Sequence, residues 1–494
     1  MLKKILIANR GEIALRIMRA AREMNIPTVS VYSEADSAAL HVLRADEAIL
    51  IGPPPATESY LRIDKLIDAA KQTGCDAVHP GYGFLAENAE FAQAVVDAGL
   101  TFIGPTAQSI RSLGNKLGAR EMMLAAQVPI VPGGEVKSGD LNDFVELARA
   151  IGYPVLVKAA SGGGGKGMRI VEDEAHLLDA VEGARREAKS AFSDPTVYLE
   201  KYLARPRHIE FQVMADSFGN TVHLYERECS IQRRHQKIIE ETPSMALTPQ
   251  LRQEMGQAAV AAAKAARYTS AGTVEFLFFE GHYYFLEVNT RIQVEHPITE
   301  MTTGIDLVKE QIRISSGEKL SFTQDDVRPR GHATECRIYA EDPAGGFLPS
   351  AGKIHYLSEP SVANLRTDSG IYSGCEVPIY YDPILSKVIT YGKDREESIE
   401  RMILALKDYR IIGIKNNVRF LIDCLTHPEY RKGSLFTGFI DQHLPEWSEP
   451  EIGEDLPLTL AGAVLAASAR QVTDEAQAAS GPESLWKTLG KWEL

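Results

Sequence analysis

A chain of 494 residues is too long for one ordinary hydrophobic core and points to about three domains. Its 44% hydrophobic and 24% charged residues are those of a soluble globular protein. A formal net charge of −14 argues against a nucleic-acid or anionic-membrane surface, although local basic clusters remain open. No apolar run is long enough to span a bilayer. The opening MLKKILIANRGEIAL has too short an apolar stretch, and no small-residue cleavage site, for a signal peptide. Cys75, Cys229, Cys336, Cys375 and Cys424 show no CxxC spacing. They read as reduced thiols of a cytoplasmic protein, neither a disulfide frame nor a zinc site.

The first hundred residues alternate strand and helix. KILIAN (4–9) reads as a buried strand, GEIALRIMRAAREM (11–24) as a helix, TVSVYS (28–33) as a strand and SYLRIDKLIDAAKQT (59–73) as a helix. DAVHP (76–80), AENAEFAQAVVDAG (86–99) and LTFIGP (100–105) continue the rhythm. Such a βαβ pattern predicts a parallel sheet covered on both faces, with ligands at the carboxyl ends of its strands, where HPGYGFLAEN (79–88) falls. A GxGxxG fingerprint is missing after the first strand, where Asn9-Arg10-Gly11-Glu12 stands, so no dinucleotide site is assigned. Tyr82 and Phe84, in the glycine turn, either line a pocket or pack the turn.

Asn115 and Lys116 begin a helical stretch to Ala126, followed by the Pro/Gly-rich VPIVPGGEV. Then YPVLVKAASGGGGKGMRIV (153–171) reads as strand, glycine loop, strand. A strand and not a helix follows the loop, and Lys166 precedes Gly167 instead of Ser or Thr, so neither a dinucleotide nor a Walker A loop fits. What remains is a loop whose bare N–H groups can wrap phosphate oxygens, with Lys158 supplying a point charge. A flexible linker is the plainer alternative. VYLEKYL (197–203) and HIEFQVMAD (208–216) read as strands, and the first of them could offer backbone groups to an adenine edge. In ERECSIQRRHQKIIEETP (226–243), Arg233, Arg234, His235 and Lys237 form the strongest basic cluster of an acidic chain. That is an anion site or a solvated charge run. Cys229 reads as a small buried residue.

The next stretch carries the densest chemistry. Residues 273–279 and 283–288 read as the arms of a hairpin with Gly281 in its tight loop. Counting outward, Phe279 faces Tyr283, Leu277 faces Phe285 and Glu275 faces Glu287. Opposed carboxylates on one sheet face repel unless a cation sits between them. Asn289, Arg291, Gln293 and Glu295 extend the row at period two. The pattern suits a Mg²⁺ site that uses carboxylates plus substrate phosphates; an exposed hairpin face is the alternative. From Gly331, GHATECRIYAED reads as a strand, followed by short strands, IYSGCEVPIYYDPILSKVITYG and a helix at REESIERMILALKDY, an α+β arrangement.

Taken together, NRGEIALRI, HPGYGFLAEN, KAASGGGGKGM, ECSIQRRHQK, EFLF…FLEVNTRIQVEHPITE and HATECRIYAEDP resemble the biotin carboxylase family of the ATP-grasp superfamily, in matching order from Met1 to about Pro445. The resemblance implies an α/β and α+β protein. Its parts would be a Rossmann-like domain over 1–113, an ATP-grasp domain over 114–330 with a mobile lid at about 131–204, and a C-terminal domain over 331–446. Residues 447–494 are left as an appended tail, acidic and Pro-rich and then Ala-rich, for partner docking or packing.

The resemblance also implies roles, residue by residue. Glu275, Glu287 and Asn289 would hold Mg²⁺, or Mn²⁺ as a substitute. Lys116, Lys158, Gly162, Gly163, Gly164 and Gly165 would bind ATP phosphates, with His208, Gln232 and His235 in the nucleotide pocket and Glu200, Lys201 and Leu203 framing the adenine. Lys237, Arg291, Gln293 and Val294 would bind bicarbonate, and Glu295 would be its general base. Arg337 would stabilise a biotin enolate, with Tyr82 beside the biotin. The expected activity is ATP-dependent carboxylation of biotin on a carrier protein, through carboxyphosphate, as the first half-reaction of a multi-subunit carboxylase of an acyl-CoA or of pyruvate. Another carboxylate–amine ligase of the superfamily is the alternative. The chain holds no Ala-Met-Lys-Met attachment motif, so the biotin carboxyl carrier and the carboxyltransferase are expected as separate polypeptides, and a homodimer is expected from the family.

Overall fold

The sheet built first in the chain is parallel, with spatial order Glu47–Gly52, Thr28–Ser33, Ile5–Ile7, Ala77–His79, Thr101–Phe102. Its central strand is wholly buried, as a strand covered on both faces must be. The strand Glu47–Gly52 and the helix Ala107–Gly114 escape the sequence reading. The strand lies at the sheet edge with only Ile51 buried, so it lacks the continuous apolar run that marks the inner strands. The strand order reverses between Ile5–Ile7 and Ala77–His79, and that switch point opens a crevice at the carboxyl ends of both. This is a computed structural model; it describes residues 2–136, 140–160, 168–192, 194–234 and 236–449.

A second, four-stranded antiparallel sheet runs Gly133–Glu135, Val197–Lys201, Val155–Ala159, Arg169–Val171. Helices Leu141–Ile151 and Leu177–Phe192 cover it, and Phe144, Val155, Val157, Val181, Ala184 and Leu199 give it a core of its own. The glycine loop Gly162–Gly165 lies outside the described residues, between two strands of this sheet.

The third sheet has eight strands. Its order is His282–Asn289, Ser270–Phe279, Arg207–Ala215, Thr221–Arg233, Gln236–Thr242, His332–Tyr339, Ile384–Gly392, Leu365–Ser369. It passes without a break across the boundary expected at 330/331, because Gln236–Thr242 pairs with His332–Tyr339. The hairpin register near the turn differs from the expected one. Phe279 pairs with His282 and Phe276 with Phe285, across a two-residue loop. Glu280 and Gly281 both have positive φ, the backbone that twists a two-residue turn to match its strands. A bulge at Leu286 then adds one residue, and the two shifts cancel, so Glu275 does face Glu287. After Phe439–His443, the last helix among the described residues, Trp447 packs its ring edge-to-face with Phe420 and donates to Asp423 at 2.9 Å. Residues 450–494 of the expected tail lie outside the described residues.

Candidate active site

The crevice at the switch point widens into a cavity of about 520 Å³. One wall comes from the loops that follow the two central strands: Asn9 to Glu12 after Ile5–Ile7, and Tyr82 to Phe84 after Ala77–His79. The facing wall is the eight-stranded sheet, with His208, Lys237, Glu275, Glu287, Asn289, Arg291, Gln293, Val294 and Arg337. Asn9 ties the two loops together by donating to the carbonyls of Pro80 and Tyr82, both at 2.7 Å. Tyr82 and Phe84 thus both line the cavity, and Phe84 also stacks on Tyr60 with centroids 4.9 Å apart and packs the turn.

Period two puts Glu275 and Glu287 on the cavity side, but in different settings. Glu275 is buried and accepts from Lys237 at 2.9 Å, Asn289 at 2.8 Å and Gln293 at 3.3 Å, with His208 3.1 Å away. Burial would raise its pKa, yet the Lys237 and His208 charges hold it below the usual carboxylate range. Glu287 is open to the cleft, where burial between the walls and then the Glu275 charge push its pKa up. A cation between the two would relieve that repulsion. Their oxygens and the Asn289 amide oxygen form the all-oxygen donor set that a hard divalent ion prefers. The residues present therefore fit Mg²⁺, and the reading of this face as solvent-facing fails for Glu275.

Lys237 is the hub of the sheet wall. Its ammonium reaches Glu210, Glu275 at 2.9 Å and Glu295 at 2.8 Å. Burial would lower its pKa, but three carboxylates outweigh it and hold the lysine charged. The other oxygen of Glu295 accepts from Arg337 at 3.0 Å, and Arg337 also donates to Glu240 at 2.6 Å. Burial would raise Glu295 as well; the charges of Lys237, Arg337 and Arg227 hold it well below the carboxylate range, so it rests as an anion between two cations. Arg291 sits on Glu87 at 2.9 Å and donates to Gln293 at 2.8 Å, which docks the HPGYGFLAEN segment onto the hairpin exit. Val294 turns its carbonyl to the buried Lys387 ammonium at 2.9 Å. Of the basic cluster, Arg234 and Lys237 line the cavity, whereas Arg233 is committed to Glu341 at 2.8 Å. His235 lies outside the described residues.

Of the remaining expected residues, the four-stranded sheet carries Lys158, Glu200 and Lys201. Lys158 and Arg120 both pair with Glu200 at 2.9 Å, and Glu200 keeps Lys158 charged against its burial. Lys201 turns its ammonium onto the carbonyls of Gly152 and Tyr153, so its charge is spent within that sheet. Leu203 is buried just beyond. Lys116 opens the helix Lys116–Ala125, capped by Asn115, and lines a second cleft of about 240 Å³ with Glu287 and Asn289. Burial and the Lys158 charge lower its pKa. Gln232 does not reach the main cavity; it bonds His208 at 2.9 Å and orients it. Cys229 is buried, its thiol pushed well up by burial and Glu210.

Sequence reading missed Glu210, Glu87, Arg120 and the Asn9–Glu12 wall. Glu210 carried a signal, since period two puts it on the same strand face as His208. Glu87 and Asn9–Glu12 lie in segments expected at the strand ends, but their contacts, like those of Arg120, join distant parts of the chain and cannot be read locally.

Among the described residues no helix is long and apolar enough to cross a membrane. A family model for the biotin carboxylase N-terminal domain matches residues 1–110. One for the ATP-binding domain of the carbamoyl-phosphate synthase L chain matches 115–323, and one for the biotin carboxylase C-terminal domain matches 335–442. The chain is 52% identical over 445 residues to biotin carboxylase 1 of Bacillus subtilis, covering 90% of this chain and 99% of that one. It is 51% identical over 445 residues to the biotin carboxylase of Pseudomonas aeruginosa, with the same coverage of 90% and 99%. Among solved structures, a biotin carboxylase–βγ-ATP complex from Campylobacter jejuni superposes with TM-score 0.86 at 44% identity, over 90% of this chain and 99% of that one. The biotin carboxylase domain dimer of Hydrogenobacter thermophilus 2-oxoglutarate carboxylase, in complex with MgADP, ADP and bicarbonate, gives 0.86 at 46% identity, over 91% and 100%.

Proposed function

This chain belongs to the biotin carboxylase family, and from that membership we propose a role for each wall of its cavity. The reaction is ATP-dependent carboxylation of biotin on a carrier protein with bicarbonate, the first half-reaction of a multi-subunit carboxylase of an acyl-CoA or of pyruvate. The observation that carries the assignment is Glu295, a buried anion held between Lys237 and Arg337, the two cations that line the same cavity as the opposed Glu275 and Glu287.

Bicarbonate is a poor nucleophile and a poor electrophile, so ATP activates it as carboxyphosphate, a phosphoryl transfer ruled by positioning and charge neutralisation. Glu275, Glu287 and Asn289 would hold Mg²⁺, which supplies positive charge to the triphosphate. Lys116, Lys158 and Gly162 to Gly165 would bind the phosphates, and the sheet around Glu200, Lys201 and Leu203 closes over the base and excludes water. Lys237, Arg291, Gln293 and the Val294 backbone receive bicarbonate. As the substrate anion draws on Lys237, Glu295 loses part of the charge that suppresses its basicity and takes the proton. Carboxyphosphate yields CO₂ and phosphate, the phosphate removes the ureido proton of biotin, and Arg337, which cannot lose its own charge, faces the enolate beside Tyr82.

The domain division is 1–113, 114–330 with a lid at about 131–204, and 331–446. The setting is a cytoplasmic homodimer that meets a biotin carboxyl carrier and a carboxyltransferase. The test is ATP cleavage by the purified chain, expected to require bicarbonate and to rise with free biotin. Glu295→Gln is expected to lower it about 10²–10⁴-fold. ATP turnover indifferent to bicarbonate and biotin but answering to an amine would move the chain to the carboxylate–amine ligases.

A further inference from the structure

A row of charged side chains crosses the face of the eight-stranded sheet on which Arg337 lines the cavity. Glu240 lies opposite Glu335, Arg337 opposite Lys387, and Lys387 opposite Asp368. All five are buried, Glu240, Glu335 and Lys387 completely. The row is satisfied at most points: Arg337 donates to Glu240 Oε1, and Arg366 donates to Asp368 at 2.6 Å. Glu240 Oε2 and both oxygens of Glu335 are the exceptions, each without a hydrogen-bond partner among the described residues. Two ionised carboxylates facing each other across neighbouring strands, away from water, repel and can only accept; a carboxylic acid can also donate.

We propose that Glu335 is held as the neutral acid and donates to Glu240, so that Glu240 keeps its charge and fixes the Arg337 guanidinium at the cavity wall. Glu335 is thereby a positioning residue for the biotin half of the reaction, and the proposal rests on the role given to Arg337 above. The proton belongs on Glu335 because Glu240 already grips a guanidinium at 2.6 Å, while no described residue donates to Glu335. The charged groups facing Glu335 are Lys387 on the next strand, Glu240 on the other neighbour, Arg337 on its own strand and Glu295 before the helix His296–Thr303. Burial, opposed by Lys387 and reinforced by Glu240, pushes Glu335 well above the carboxylate range. A protonated Glu335 also explains how two acids can be buried side by side on neighbouring strands.

The test compares substitutions at one position on the full chain, with two rates read separately: carboxylation of free biotin, and bicarbonate-dependent ATP cleavage without biotin. Glu335→Gln keeps a donor and cannot ionise; its kcat for biotin is expected within about threefold of the parent. Glu335→Leu removes the donor and is expected to lose about tenfold or more in that kcat. Its ATP cleavage without biotin should fall by less than the biotin rate, because the nucleotide wall and the Lys237 contact of Glu295 are untouched. Equal biotin rates for Gln and Leu would overturn the proposal. Should the Leu variant fail to fold, Glu335→Asp decides: the shorter acid is expected to fall below Gln, and the reverse order overturns the idea. A parent chain that carboxylates no biotin would instead sink the functional reading itself.

Discussion

Arg337 shows how little freedom the reacting groups have. Its fork is divided between Glu240 at 2.6 Å and Glu295 at 3.0 Å, and a lysine at this position lacks the planar spread of donors that reaches the two acids from separate nitrogens. Arg337→Lys is therefore expected to lower biotin carboxylation about 10²-fold and ATP cleavage without biotin by less, since Glu295 keeps its contact to Lys237 at 2.8 Å. A loss shared equally by both rates would contradict a role centred on the biotin step. Buried histidines give a second prediction at this scale. Burial, aided by the Arg16 charge, lowers His79 to about 3. The unfolded chain, with its histidines near pKa 6.5, takes up a proton that folded His79 refuses. The stability this residue contributes is thus complete above pH 6.5 and is lost as pH falls toward 3. The penalty for His79→Gln should shrink by about 1.4 kcal/mol per pH unit below 6.5. Urea unfolding at pH 7, 6 and 5 measures it, and a penalty independent of pH would refute the sign.

The element most sensitive to one atom is the four-stranded sheet. Gly133 has φ +153° and lies opposite Glu200. A Cβ there would stand 2.1 Å from the Leu199 carbonyl oxygen and 2.7 Å from Glu200 Cα, closer than real atoms approach. Gly133→Ala must push the edge strand off the strand that carries Glu200, and the Glu200–Lys158 and Glu200–Arg120 pairs move with it. The expected result is a KM for ATP raised about tenfold, with a smaller change in kcat. An unchanged KM would mean that this sheet does not position the nucleotide.

At the scale of the whole molecule, the unbroken eight-stranded sheet decides what can fold alone. Gln236–Thr242 is an interior strand only because His332–Tyr339 pairs with it. Glu241 on that strand is buried, and its pKa is about 2; Arg395 and His332, both beyond residue 330, outweigh the burial that would raise it. A fragment of residues 1–330 would leave an open edge and acids stripped of their cations, which costs about 3–5 kcal/mol for each broken buried pair. It is expected to show no cooperative thermal transition by calorimetry. A transition like that of the full chain would mean that the third part only leans on the second.

Local pattern was enough for much of this. The βαβ rhythm, the strands either side of the glycine loop and the hairpin that opposes Glu275 to Glu287 follow from geometry that neighbouring residues impose on each other, whereas the strand ends at Asn289 and turns, not period two, carry the chain on to Glu295; the order of the motifs was enough for the family. The meeting of Lys237 with Glu210 and Glu295, of Arg337 with Glu240, and of Glu87 with Arg291 belongs to the tertiary structure alone. So does the bulge at Leu286 that returns Glu287 to its partner. Strand pairing is chosen by burial summed over whole sheets, and no short stretch of chain records which distant strand will lie beside it.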